Sequence, residues 1–173
     1  MITIIGAGPA GGFTAYLLAK AGFDVQVFEE HATIGEPVAC TGVITGDMLS
    51  QRLQLPKELI VNKIAKARII APNKEHVEVR LKNDIIIDRA GFDRHISEMA
   101  KGAGAEYFAN HRFESFEYGN SGNSGEKSGK KRIIAAVKDK AKGEVKKIET
   151  DYLVGADGPI SSVAKAAGLF GER

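Results

Sequence analysis

Ile2-Thr3-Ile4-Ile5-Gly6-Ala7-Gly8-Pro9-Ala10-Gly11-Gly12 is the stretch on which the fold turns. Met1 to Ile5 is a short apolar run rich in β-branched residues, and it reads as a strand. The glycines follow at once. Phe13 to Ala21 then carries apolar residues at helical spacing, and Gly22 stands where a helix stops. Val25-Gln26-Val27-Phe28 reads as a second strand, ended by Glu29. Strand, glycine turn, helix, strand and acid is the order that a dinucleotide site requires.

Each residue type has a reason. Gly6 lets the chain turn sharply off the strand. Gly8 has no Cβ, so a pyrophosphate can lie against the backbone, and Gly11 lets the helix pack close to the sheet. The helix aims its free N–H groups and its positive dipole end at the phosphates. Glu29 lies 23 positions after Gly6, at the tip of the second strand. There a carboxylate can accept both hydroxyl protons of an adenosine ribose and would repel a 2′-phosphate. Glu30 is the adjacent candidate, but in an extended chain it points to the other side. A lone GxGxxG also occurs in plain turns; here the strand, the helix and the distal acid accompany it.

The chain has 173 residues, of which 43% are hydrophobic, enough for a folded core and too many for a disordered chain. No apolar run is long enough to span a membrane as a helix. The N-terminus enters a strand with no basic n-region, so no signal peptide is expected. Cys40 is the single cysteine, which excludes an internal disulfide and points to a cytoplasmic protein. The net charge of +2 has a local origin: Lys127 to Lys147 holds nine basic and two acidic residues, and the remainder is net acidic. That segment reads as a solvated hairpin rather than a nucleic-acid site, with peripheral contact at an anionic membrane surface left open.

After Glu29, His31-Ala32-Thr33-Ile34-Gly35-Glu36-Pro37 is a loop in which His31 reads as an exposed residue without a partner. No His/Cys cluster has metal spacing, so no metal is expected. Cys40, between Pro37 and Gly42, reads either as a buried small hydrophobe or as a functional thiol. Asp47 to Leu55 is a candidate short helix. Ala67 to Ala71, Val77 to Leu81 and Ile85 to Ile87 look like short strands split by Pro72-Asn73 and Lys82-Asn83-Asp84, a small sheet inserted over 66–87. Arg89 to Arg94 begins a helix whose buried face is Phe92, Ile96 and Met99, ended by Gly102 and Gly104. Ala105 to Ala109 is a parallel strand and Phe113 to Tyr118 a further one. Residues 119–131 are a flexible Gly/Ser/Asn loop. Arg132 to Val137 and Val145 to Thr150 pair around Lys142-Gly143. Tyr152-Leu153-Val154-Gly155-Ala156-Asp157-Gly158-Pro159 repeats the opening grammar as a buried strand, a turn and a helix starting at about Pro159. Asp157 reads equally as a ligand-site carboxylate or as a turn and capping carboxylate.

Three motifs therefore stand in order: Gly6 to Gly11 with Glu29, Arg89-x-x-Phe92-Asp93, and Gly155-Ala156-Asp157-Gly158-Pro159-x-Ser161. Together they resemble the FAD-dependent group that includes aromatic-ring hydroxylases and geranylgeranyl reductases. Pro37-Val38-Ala39-Cys40-Thr41-Gly42 looks specifically like the geranylgeranyl reductase family, including the archaeal digeranylgeranylglycerophospholipid reductases. The resemblance covers nearly the whole chain. It implies an α/β, Rossmann-like FAD-binding βαβ fold with a small inserted antiparallel sheet, FAD as cofactor, and reduction of prenyl double bonds in isoprenoid and membrane-lipid synthesis. It would place Gly6, Gly8, Pro9, Ala10 and Gly11 on the pyrophosphate, and Glu29, with Glu30 beside it, at the ribose. Cys40, Thr41 and Gly42 would lie by the flavin, with Cys40 the catalytic candidate. Arg89 would contact the flavin side, and Phe113 would offer backbone groups to adenine. Asp157 and Gly158 would shape the phosphate site.

Family members continue well beyond this length, with a later Gly-Asp motif and a sheet that forms the lipid pocket. Residues 1–173 are therefore expected to be one FAD-binding domain or the N-terminal portion of a longer flavoenzyme. The partners implied are a prenyl lipid, an electron donor of unknown identity and a second chain supplying the remaining half. Two rivals are an FAD-dependent aromatic-ring monooxygenase, which as a rule lacks the Pro-Val-x-Cys loop, and a non-catalytic dinucleotide-binding fragment that needs a partner chain.

Overall fold

The computed structural model describes residues 1–45, 55–119 and 132–169. The helix expected over Asp47–Leu55 and the loop expected over 119–131 fall outside the described residues, except for Leu55 and Gly119. In chain order the elements are β1 (Ile2–Ile5), α1 (Pro9–Lys20), β2 (Val25–Phe28), β3 (Val43–Thr45), β4 (Ile60–Ile70), β5 (His76–Ile87), α2 (Arg89–Gly102), β6 (Glu106–Phe108), β7 (His111–Gly119), β8 (Arg132–Asp139), β9 (Val145–Thr150), β10 (Tyr152–Gly155) and α3 (Ser162–Ala166). They divide into two units, Met1–Pro37 with Asp93–Arg173, and Val38–Phe92.

The first unit is built on a parallel sheet of order β10-β1-β2-β6. Ile2 pairs with Tyr152 on one side and Val25 on the other, so β1 is central, and all four of its residues are buried. Alternate residues serve opposite faces. Ile2 and Ile4 pack with Ala15 and Ala19 of α1 and Ala100 of α2. Ile5 packs with Phe28, Phe113, Ala135, Val137 and Val163. Helices thus cover one face, and the antiparallel sheet β7-β8-β9 with α3 contributes to the other.

Both long helices stop where glycine permits it. Gly22 has φ +86°, its N–H bonds the Ala19 carbonyl at 2.9 Å, and the Phe23 N–H bonds the Leu18 carbonyl at 3.1 Å. Gly104, with φ +106°, closes α2 in the same way, through Gly104 to Lys101 and Ala105 to Ala100. The buried face of α2 differs from expectation by one residue. Phe92 and Ile96 are buried, but Ala100 is fully buried where Met99 lies at the rim, and Asp93 and Ser97 share the face. Gly12 of α1 lets α2 approach closely: a Cβ on it would stand 2.9 Å from Ile96 Cγ2.

Two strand expectations are corrected. The inserted sheet, of order β3-β5-β4, is a long β4–β5 hairpin beginning at Ile60 with β3 paired on β5, rather than three short strands beginning near Lys66. Lys82-Asn83-Asp84 does not end a strand. Asn83 takes φ +57°, and the register shifts between Ile64/Asp84 and Lys66/Arg80, so the polar triplet is absorbed as a bulge. β10 is not buried. It lies at the edge of the parallel sheet, and Tyr152 is 59% exposed.

Candidate functional site

Gly6 takes φ +100°, which only glycine adopts without strain. A Cβ there would collide with the Ala156 carbonyl, and a Cβ on Gly11 would collide with the Gly6 carbonyl and crowd the Ala156 methyl. These two glycines are needed by the loop's own packing. Gly11 serves the contact between helix and turn more than that between helix and sheet. Gly8 is different: a Cβ there would meet nothing within 4 Å. Its backbone borders open space on the side where a phosphate would approach.

Gly8 is also the residue before α1, with Pro9 in the first turn, where the missing N–H costs nothing. No side chain caps this end, and the first turn carries no acidic residue. The positive end of the helix is therefore not compensated by a local side chain, which suits an anion. Ala10 is exposed at this end.

Glu29 is tied to the loop directly. Its Oε2 accepts the Ala7 N–H at 2.7 Å, and Oε1 accepts the His31 N–H at 3.0 Å. His31 Nδ1 lies 2.6 Å from the same Oε1. The main chain is pinned as well, with the Glu29 N–H on the Phe108 carbonyl and the His31 carbonyl accepting from the Asn110 N–H, both at 2.9 Å. His31 is thus half-buried with a carboxylate partner, not the exposed, partnerless residue expected from its loop. Glu30 points elsewhere: its half-exposed carboxylate is 3.8 Å from His31 Nε2 and makes no bond to the glycine loop.

At the exit of β10 the Ala156 N–H bonds the Ile5 carbonyl at 2.8 Å, which sets Ala156 as the second wall of the glycine loop. Asp157 is a capping carboxylate. Oδ1 accepts from the Ser161 hydroxyl, and Oδ2 accepts the N–H groups of Ser162 at 2.6 Å and Val163 at 3.1 Å. Ser161 in turn accepts the Ala164 N–H at 2.9 Å. With the cap at Ser161, α3 begins at Ser162, three residues later than Pro159 suggested. Gly158 supplies φ +81° in the intervening turn.

Phe113 is a core residue with only 5% exposure, and its main chain belongs to the β7–β8 ladder. β7 is an edge strand of that sheet, and its first residue is tied to the tip of β2, the His111 N–H bonding the Glu29 carbonyl at 2.7 Å. Tyr107, on β6, has a buried hydroxyl, and burial followed by the Glu98 charge pushes its phenol up. It stays neutral at ordinary pH.

Cys40, Thr41, Gly42 and Arg89 belong to the second unit. Cys40 is exposed, which removes the reading as a buried hydrophobe. Thr41 is exposed beside it. Gly42 takes φ +74°, and its carbonyl accepts the Ile87 N–H at 3.0 Å, so the loop is fastened to the end of β5. Arg89 opens α2 behind Asp88, whose side chain accepts the Gly91 N–H at 3.0 Å. Among the described residues there is no cluster of three or more His, Cys, Asp or Glu fit to hold a metal, and no helix long and apolar enough to cross a membrane.

Sequence reasoning missed Ala156 and His31. Ala156 was signalled by its place after a strand in a glycine-rich turn; His31 was signalled only by lying two residues beyond the acid. The first unit's residues fit an anionic dinucleotide: open space at Gly8, an uncompensated helix start and a fixed carboxylate at the tip of β2.

Known proteins agree with this geometry. Residues 4–51 match an NAD(P)-binding Rossmann-like domain and residues 61–172 an FAD-binding domain. Digeranylgeranylglycerophospholipid reductase 1 of Methanococcoides burtonii is 27% identical over 97% of this chain and 40% of its own length. A protein of uncharacterised function from the nifH2 5′ region of Methanosarcina barkeri is 31% identical over 97% of this chain and 87% of its own. A geranylgeranyl bacteriochlorophyll reductase-like structure from Thermoplasma acidophilum superposes with TM-score 0.79 at 22% identity, covering 96% of this chain and 41% of that one, and so shares its fold. The chain spans about 40% of the length of the reductases it matches. With a family match over most of its residues, on a parallel sheet whose glycine loop is built for a dinucleotide, the chain belongs to the FAD-binding domain family and has geranylgeranyl reductases among its relatives.

Proposed function

We propose that this chain is the FAD-binding part of an oxidoreductase that reduces prenyl double bonds of the geranylgeranyl type in isoprenoid and membrane-lipid synthesis. The observation that carries the reading is the open backbone face at Gly8 beside a carboxylate fixed on the same loop, in a chain whose named relatives are geranylgeranyl and digeranylgeranylglycerophospholipid reductases. Reduced FAD supplies the hydride for such a reaction. The chain's own residues bind and orient it. The N–H groups of Ala10 and Gly11 take the pyrophosphate, Pro9 starts the helix without a competing donor, and Glu29 takes a ribose hydroxyl. Asp157 and Gly158 set the turn that carries Ala156 against the loop.

The Cys40-Thr41-Gly42 segment and Arg89 are assigned to the flavin side on the family likeness of their motifs. Cys40 is the candidate group next to the reacting bond. In a preparation that reduces a geranylgeranyl lipid, Cys40→Ala is expected to lower turnover per bound flavin and to leave flavin content near wild type. Loss of flavin with turnover per flavin intact would make the residue structural. The reading requires a prenyl lipid, an electron donor and a polypeptide equivalent to the rest of the relatives' length. It places the protein in the cytoplasm. Peripheral contact at an anionic membrane surface is the finer reading of the basic segment 127–147, within which Lys147 pairs with Glu117 and Arg132 with Glu149.

The test is the visible absorption spectrum of the purified chain before and after incubation with FAD. A flavin spectrum that stays with the protein through gel filtration is expected. A colourless protein that also ignores added FAD overturns the reading that these residues alone suffice to hold the cofactor.

A further inference from the structure

Glu29 has fewer vacancies than a ribose-binding carboxylate needs. A carboxylate offers about four lone-pair sites. The Ala7 N–H takes one on Oε2, at 2.7 Å, and the His31 N–H and Nδ1 take two on Oε1, at 3.0 and 2.6 Å. One site, on Oε2, is left, so Glu29 held in this way accepts one ribose hydroxyl and not two. An ionised carboxylate cannot donate, so Nδ1 carries the proton in the short contact.

His31 is itself held. Its carbonyl accepts the Asn110 N–H at 2.9 Å, and Lys140 Nζ bonds the neighbouring Glu30 carbonyl at 3.0 Å. The imidazole lies between two carboxylates, 2.6 Å from Glu29 and 3.8 Å from Glu30. Two acids beside a diphosphate-bearing ligand would repel it, and the imidazole N–H is the donor set against them.

We propose that His31 is a positioning residue of the dinucleotide site. It clamps Oε1 of Glu29, so that Oε2 is presented in one orientation to the Ala7 N–H and to a single ribose hydroxyl. The clamp removes the carboxylate's rotational freedom before the ligand arrives, and affinity gains by the ordering that binding no longer has to supply. The proposal rests on the reading of the glycine loop as an FAD site.

The experiment has a ligand arm and a ligand-free arm. In the first, the Kd for FAD is compared among wild type, His31→Ala and His31→Asn. The Asn side-chain nitrogen stands as many bonds from the backbone as Nδ1. His31→Ala is expected to weaken FAD by about tenfold, the size of one partly exposed charge-assisted bond, and His31→Asn to restore most of it. In an E29Q background His31→Ala should cost much less, since the clamped charge is gone. In the second arm, hydrogen exchange of the Ala7 amide is followed without FAD. It should quicken in His31→Ala while the Val27 amide in the core does not change. Equal affinities in all three proteins, or an Ala7 amide indifferent to His31, would overturn the clamp. A wild type that binds no FAD while its Ala7 amide does respond to His31→Ala would keep the clamp and overturn the ligand.

Discussion

Gly8 and Gly11 look alike in the motif and differ in what surrounds them. A side chain at Gly11 would strike the Gly6 carbonyl, whereas one at Gly8 would enter open space. Gly8→Val is therefore expected to leave the fold nearly intact, costing about 1 kcal/mol for a poorer residue ahead of the helix. It should weaken FAD by about 3 kcal/mol, because the added methyl groups stand where the pyrophosphate must lie. Gly11→Val should unfold or loosen the first unit before any ligand is added. Thermal melting and FAD titration of the two variants separate these outcomes. A Gly8→Val protein with wild-type affinity would remove the phosphate from this loop. At this scale the sequence exposes residue types and hides partners. The glycines and the acid were legible because the motif requires them at fixed spacing. The bonds of Glu29 to Ala7 and His31 were not, because an acid at a strand tip has no local signal for where its oxygens turn.

Among the elements, α3 shows how a helix start is decided. Pro9 starts α1, but Pro159 does not start α3, because Asp157 and Ser161 together satisfy three N–H groups of the turn that follows. Asp157→Ala is expected to destabilise the first unit by about 1 to 2 kcal/mol through loss of that capping, read as a lowered urea midpoint. If stability is unchanged, the carboxylate's role lies with a ligand instead. The turn between β8 and β9 gives a second case. Burial would raise the Asp139 carboxyl, but N–H groups from Lys142 and Ala141, with His111 and Lys146 nearby, outweigh it and hold the group below the usual carboxylate range. A depressed folded-state value means that the contribution is present above the unfolded value and is lost as pH falls through the folded one. Unfolding free energy followed from neutral to strongly acid pH should therefore fall less steeply in Asp139→Asn than in wild type below the ordinary carboxylate range. Parallel curves would remove this residue from the acid response. The long β4–β5 hairpin was legible as strand but not in its extent, because a polar Lys-Asn-Asp triplet reads as a break unless Asn83 adopts a positive φ.

For the molecule as a whole, the order of elements was readable and their neighbours in space were read only in part. The opening βαβ, the insertion and the hairpin of β8 and β9 follow from periodicity and turn residues. That β10 pairs with β1 was not legible: the sequence showed only that the last glycine turn repeats the grammar of the first. That it forms an exposed edge had no sequence signal, since Leu153 and Val154 suit a buried strand as well as a half-covered one. Ala156 is the plainest case: the sequence offers only a small residue, and its value lies in fitting against Gly6 and Gly11.

That contact also has a consequence in time. Ile2 and Tyr152 are register partners 150 residues apart. At ribosomal rates, on the order of ten seconds separates the emergence of one from that of the other. Throughout that interval β1 has an open flank and the glycine turn lacks the wall that shapes it. The nucleotide loop is translated well ahead of its wall and is finished only once Ala156 has followed. A message broken between the Glu29 and Tyr152 codons would yield the whole fingerprint and no working loop.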